Sequence, residues 1–170
     1  MSRIIELMSG GQSGADRGAM DAARDFGIPV GGWCPAGGWA EDLPEPPGIR
    51  ALYPQMKETP LADVAQRTEW NIRDSSCCLV LNTPSQGTSP GTDIGYALYE
   101  KYNVPHFEIQ LGDPETYEAQ IARAIEWLDG LADDAIVISM GGPRASEYAG
   151  IYDIAYMVAT ELLQARGARP

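Results

Sequence analysis

Lysine and histidine are almost absent from this chain: Lys57, Lys101 and His106 are their whole complement among 170 residues. Acidic residues outnumber basic ones 24 to 12, for a formal charge of −12. Neutralising a nucleic-acid backbone needs a basic face, so a sequence-independent hold on nucleic acid is disfavoured. One histidine and three cysteines offer no spacing for zinc, and no metal site is expected. Cys34, Cys77 and Cys78 are also too few for a disulfide framework. The adjacent Cys77 and Cys78 point to opposite faces of a strand and read as buried thiols. No apolar run approaches the roughly 20 residues of a membrane span, and Met1-Ser2-Arg3 leads into Ile4-Ile5 without a basic and then long apolar leader. The expectation is a cytoplasmic protein with no membrane attachment.

What the chain does have is glycine in particular places. Ser9-Gly10-Gly11-Gln12-Ser13-Gly14, Gly87-Thr88-Ser89-Pro90-Gly91-Thr92 and Gly141-Gly142-Pro143-Arg144-Ala145-Ser146 each follow a strand-like run and precede a helix-like stretch. Glycine lets backbone approach a ligand closely, and the helix that follows presents unsatisfied N–H groups and the positive end of its dipole. Three such turns point to a phosphate or another anion. With so few lysines, its fixed countercharge comes mostly from arginine, and Arg17 and Arg144 sit in or just after these turns. Either arginine reads equally as a solvated surface charge.

With 44% apolar residues the chain fits one domain over residues 1–170. Strands are expected at 3–8, 28–32, 77–82, 104–109 and 135–140. Helices are expected at 14–26, from Thr59-Pro60 to about Asp74, at 92–102, after the Asp113-Pro114 cap and from Ile151 to Leu162. Between about 33 and 59 the periodicity dissolves into prolines and glycines, a Pro/Gly-rich excursion of the kind that forms lids or binding loops. Trp33, Trp39 and Tyr53 argue against full disorder there. The alternation predicts an α/β fold: a doubly wound, mainly parallel sheet of about five strands with helices on both faces. In such sheets ligands bind outside the carboxyl ends of the strands, where all three glycine turns lie.

Several familiar loops are excluded. The first turn lacks the lysine of a P-loop and the G-x-G-x-x-G spacing of a dinucleotide site. Gly31-Gly32-Trp33 stands where that site places an acid, so an NAD-dependent oxidoreductase is disfavoured. Gly87-Thr88-Ser89-Pro90-Gly91 matches a hydrolase nucleophile elbow, but Pro90 has no N–H for the oxyanion hole. His106, in a predicted strand behind Pro105, reads as structural.

Read together, Ser9 to Arg17, Gly31-Gly32-Trp33-Cys34-Pro35, Thr68-Glu69-Trp70-Asn71-Ile72-Arg73-Asp74, Ser89-Pro90-Gly91-Thr92 and Gly142-Pro143-Arg144-Ala145-Ser146 resemble the molybdenum carrier (molybdenum-cofactor-carrier-like) family. That family belongs to a Rossmann-like superfamily with the lonely-guy phosphoribohydrolases and DNA-processing protein A. The resemblance spans residues 3–160 and implies binding of a phosphorylated heterocycle, with molybdenum cofactor, a phosphopterin, as the named candidate. The related phosphoribohydrolases carry G-G-x-G-T-x-x-E, and Gly95 stands here where their catalytic glutamate would be.

By physical role the phosphate falls to the N–H groups of Gly10, Gly11, Gln12, Ser13 and Gly14 and of Gly91-Thr92, with the Ser13 and Thr92 hydroxyls as further donors. Ser89, Gly142 and Ser146 belong to the same set of loops, and Arg17 and Arg144 supply charge. Trp33 stacks on a pterin or purine ring, or covers the sheet edge. Asp16 orients Arg17 or a ribose-like hydroxyl, or is an ordinary acid of a first helical turn. An enzymatic reading, N-glycosidase or phosphoribohydrolase, would draw its acid or base from Asp16, Glu69 or Asp93. A third reading is a nucleotide-sensing module, with a nucleotide in place of the pterin. Four Trp and eight Tyr also leave room for a homo-oligomeric interface.

Overall fold

The computed structural model describes residues 3–83 and 90–169, with the helical backbone alone for 90–93. Strand β1 (Arg3–Met8), helix α1 (Ala15–Asp25) and strand β2 (Val30–Gly31) open the fold, followed by two short strands, β3 (Trp33–Cys34) and β4 (Lys57–Glu58). Then come α2 (Val64–Arg73), β5 (Cys77–Asn82), α3 (Pro90–Tyr102), β6 (His106–Gln110), α4 (Tyr117–Asp129), β7 (Ala135–Gly141) and α5 (Ile151–Ala165). Five strands form one sheet in the order β2-β1-β7-β5-β6, and every pairing in it is parallel. The unbroken burial of Cys77–Asn82 is what a strand covered on both faces requires.

The strand order carries more information than the strand count. The last strand, β7, lies in the middle, between β1 and β5. Counting from β7 instead of β1 converts the order to 3-2-1-4-5, the doubly wound arrangement. The chain therefore carries that arrangement opened between its first crossover helix, α5, and its second strand, β1. Right-handed crossovers place α1, α4 and α5 on one face and α2 and α3 on the other. The packing agrees: α5 contacts both α1 and α4, and α2 lies along α3.

The main core fills the three-helix face. Leu7, Leu79, Leu81, Ile136 and Ile138 meet Ala19, Ala23, Ile121, Leu128, Val158 and Leu162 there. Along one stripe of α4, Tyr117, Ile121 and Leu128 are buried and Ile125 is partly buried. A much smaller cluster of Ile72, Cys78, Leu98, Tyr99 and Val104 covers the other face. Among the described residues no helix is long and apolar enough to cross a membrane.

Several boundaries differ from expectation. Helix α3 begins at Pro90 instead of residue 92, so the Pro90-Gly91-Thr92 part of the second glycine turn is helical backbone. The second strand splits at Gly32: β2 joins the main sheet, while β3 pairs in parallel with β4 as a separate ribbon. The helix expected from Thr59-Pro60 starts at Val64, capped by Asp63, whose carboxylate accepts the Ala65 N–H at 2.9 Å. The Thr59 hydroxyl is committed to the Leu61 carbonyl at 2.9 Å, a local bond that competes with helix capping. The fourth strand of the sheet begins at His106, since Pro105 has no N–H for the ladder. Within the excursion, Ile49, Tyr53 and Met56 are buried in the main core, which orders a stretch without periodicity of its own.

Candidate functional site

Winding direction reverses between β7 and β5, and there, on the α2–α3 face, a crevice of about 120 Å³ opens. Its walls come from the loops after β1 and β7 and from α2, α3 and β5. Helices α2 and α3 run antiparallel to the strands they connect, so each passes from the mouth of the crevice at its start to the floor at its end. The mouth is polar, with Gly10, Gln12, Asp16, Arg67, Gly142 and Arg144. The floor is largely apolar, with Ile72, Cys78, Val80 and Tyr99.

Arg67 dominates the mouth. Its guanidinium lies directly over Gly10, in the space a Cβ there would occupy, so close approach requires glycine. One amino group donates to Asp16 Oδ2 at 3.4 Å, while the buried Nε has no partner. Asp16 also accepts the Gln12 N–H at 3.2 Å. Burial pushes the Asp16 carboxyl above its ordinary range, against the pull of Arg67, the Gln12 N–H, Ser9 and Arg17. Arg144 rests with its guanidinium 5.5 Å from the Trp39 ring centre, a cation–π contact, and forms no ion pair among the described residues.

Behind the mouth the first and third glycine loops are locked together. Gly14 adopts φ +80°, and a Cβ there would come within 2.6 Å of the Ala145 nitrogen. The Ala15 N–H donates to the Pro143 carbonyl at 3.1 Å, and the Ala145 N–H to Ser13 Oγ at 3.2 Å. Into this junction the excursion inserts Glu41. Its carboxylate accepts the Ser13 hydroxyl, the Ser146 N–H at 3.2 Å and the Ser146 hydroxyl at 2.6 Å. Burial raises the Glu41 pKa, but the hydrogen bonds from Ser13 and Ser146 outweigh it and hold the carboxyl below its ordinary range. Arg17 forms a fork with Asp42 at 3.2 and 3.3 Å and donates to the Gly11 carbonyl at 3.1 Å.

Of the residues expected to bind, then, Gly10, Gln12, Gly142 and Arg144 line the crevice, joined by Asp16. Ser13, Ser146 and Arg17 hold the excursion instead, and Gly11 and Gly14 lie at packing contacts, Gly11 beneath Ile49. Trp33 lies outside the crevice, edge-on to Trp70 at 4.6 Å, with its indole N–H on Asp74 at 2.8 Å. Its backbone is gripped from both sides by Asn71, whose amide accepts the Trp33 N–H at 2.8 Å and donates to its carbonyl at 2.9 Å. Glu69 pairs with Lys101 at 2.6 Å and joins α2 to α3 away from the crevice. Ser89 lies outside the described residues, and Gly91, Thr92 and Asp93 are placed only as backbone of the first turns of α3. Arg67, Glu41 and Tyr99 carry no glycine-loop signature in the sequence, and no spacing marks them for the crevice.

Known proteins match this architecture. The sequence model of the circularly permutated YpsA SLOG family matches residues 7–163. A crystal structure from Syntrophus aciditrophicus SB, described as a "putative molybdenum carrier protein", is similar over 95% of this chain and 96% of that one, at 31% identity and a TM-score of 0.78. No curated protein matches. The strand order that reads as doubly wound only when counted from β7 agrees with the permutation in the family's description, and the chain belongs to the circularly permutated YpsA SLOG family.

Proposed function

We propose that the chain binds a small phosphorylated heterocycle and holds its phosphate at the mouth of the crevice. The observation that carries this reading is Arg67: a largely buried guanidinium over a glycine loop, with an unpartnered Nε and only a partial claim from Asp16. Arg144 adds a second cation, and no hydrogen bond among the described residues uses the N–H groups of Gly10 or Gly142. Two arginines and free backbone donors suit a dianion far better than a neutral solute.

Molybdenum cofactor is the first candidate, supported by the family resemblance and by what the Syntrophus protein is described as carrying. The fit is partial. A crevice of about 120 Å³ has room for about one ring, whereas ligand pockets run from roughly 300 Å³, so the phosphate would sit at the rim and the rest of a phosphopterin outside. The Cys78 thiol, pushed up to about 11 by burial, is a poor metal ligand, and this chain's contacts would go to the organic part.

A second reading, cleavage of an N-glycosidic or phosphoribosyl bond, is favoured by one observation. Asp16 is the one described carboxylate lining the crevice, and its raised pKa suits an acid. Purified protein should be denatured and its released molecules analysed by mass spectrometry and for molybdenum. Release of a phosphopterin supports the carrier reading. Release of a nucleotide, with free base accumulating on incubation with nucleoside monophosphates and lost in Asp16→Asn, replaces it with the enzymatic one. Failure to bind any phosphorylated compound in calorimetric titration removes both.

A further inference from the structure

We propose that the floor of the crevice is a slot for one planar ring of the ligand, and that the Tyr99 hydroxyl is the group that selects it. This rests on the phosphate being held at the mouth. Tyr99 is 7% exposed, with its ring stacked on His106 at 4.3 Å and 18° and edge-on to Tyr96 at 6.1 Å. The side chain is therefore fixed, and its hydroxyl makes no hydrogen bond among the described residues. The hydroxyl is not sealed from the crevice, so a ligand entering there can replace water as its partner.

The surroundings define what that partner is. The hydroxyl faces Gly95 one turn earlier on α3, where a Cβ would come within 3.1 Å of it, so glycine keeps the space in front of it open. Ile72, Val80 and Ile94 wall the same space with apolar surface, and Ser139 adds a second hydroxyl from β7. Burial raises the Tyr99 pKa, so the group stays protonated and donates. Apolar walls with one or two polar contacts select a flat, uncharged ring bearing a carbonyl or ring-nitrogen acceptor on its edge. The whole crevice measures about 120 Å³, of the order of the roughly 150 Å³ cavity that accepts one benzene, so it takes a single ring with the phosphate at its open rim.

The test titrates the full chain, wild type and Tyr99→Phe, with ribose phosphate, guanosine monophosphate, pterin monophosphate and the two unphosphorylated ring compounds. The expected result is tighter binding of a ring-bearing probe than of ribose phosphate, with that advantage cut about tenfold in Tyr99→Phe and ribose phosphate unaffected. Gly95→Ala, which crowds the hydroxyl without removing it, should weaken the ring-bearing probes alone. Equal binding of ring-bearing probes and ribose phosphate, or a ring preference that survives both substitutions, overturns the slot and leaves the phosphate site standing. Binding of free guanosine or pterin that is lost in Tyr99→Phe, with no binding of ribose phosphate, upholds the slot and overturns the phosphate site. No binding of any probe overturns both.

Discussion

On the face that carries α1, α4 and α5, Leu79 and Leu81 of β5 are each 1% exposed and surrounded by apolar side chains. On the face that carries α2 and α3, their neighbours Cys78 and Val80 line a crevice whose mouth holds Arg67 and Asp16. Alternation along one strand thus sends one set of residues to a saturated core and the next to a space left open. The difference follows from what covers each face. Three helices, including an alanine-rich α1 packed on α5, close over the first, while two helices and a five-residue apolar cluster leave the second unfilled. The buried charges on the thin face are paired with each other, Arg67 on Asp16 at 3.4 Å.

The sharpest test of that contrast is a pair of neighbouring truncations. Leu79→Ala should lower unfolding stability by about 2–5 kcal/mol in urea titrations, and Cys78→Ala by about 1 kcal/mol. Equal losses would mean that both faces support the fold alike. Next in size, Arg67→Ala should weaken binding of a phosphorylated ligand roughly 10- to 100-fold, as expected for a charged hydrogen-bonding partner. Gly10→Ala should do the same by displacing that guanidinium, and unchanged affinity in both would move the site away from the thin face.

Acid sensitivity separates two carboxylates near the mouth. Asp16 has a raised pKa in the fold, so from its unfolded value near 3.8 upward the folded state alone retains the proton. Its contribution to stability therefore falls as pH rises through that window and is level above it. Glu41 has a lowered pKa, so its contribution is present above 4.5 and is lost as pH falls through the folded value. Unfolding curves measured from roughly pH 3 to 7 should lose the first slope in Asp16→Asn and the second in Glu41→Gln. The same slope in both variants would contradict the assignments. The smallest effect expected is the stability change of Glu41→Gln at neutral pH, under about 1 kcal/mol, because that carboxylate is only partly buried.

Legibility in the sequence followed the range of the interaction. The first and third glycine turns were readable because turn, strand end and helix start are neighbours in the chain. Arg67 was not, because nothing around it distinguishes a mid-helix arginine that lies over Gly10 from one that faces water. The run Glu69-Trp70-Asn71-Ile72-Arg73-Asp74 is explained by what it holds: Asn71, Trp70 and Asp74 grip Trp33, and Glu69 reaches Lys101. Ser13 and Ser146 were sensible phosphate donors by residue type, but a carboxylate from the excursion presents the same charge to them from inside the chain.

By itself the sequence determined the alternation of strand and helix, the parallel sheet that alternation demands, and the glycine turns after β1 and β7. These are matters of local period and of backbone freedom at single residues. Only the tertiary structure decided that β7 lies between β1 and β5, that Arg67 closes over Gly10, and that Glu41 occupies the junction of two glycine loops. Each depends on segments far apart in the chain meeting in space. Strand pairing, crossover handedness and core packing select those meetings together, and no spacing along the sequence encodes them.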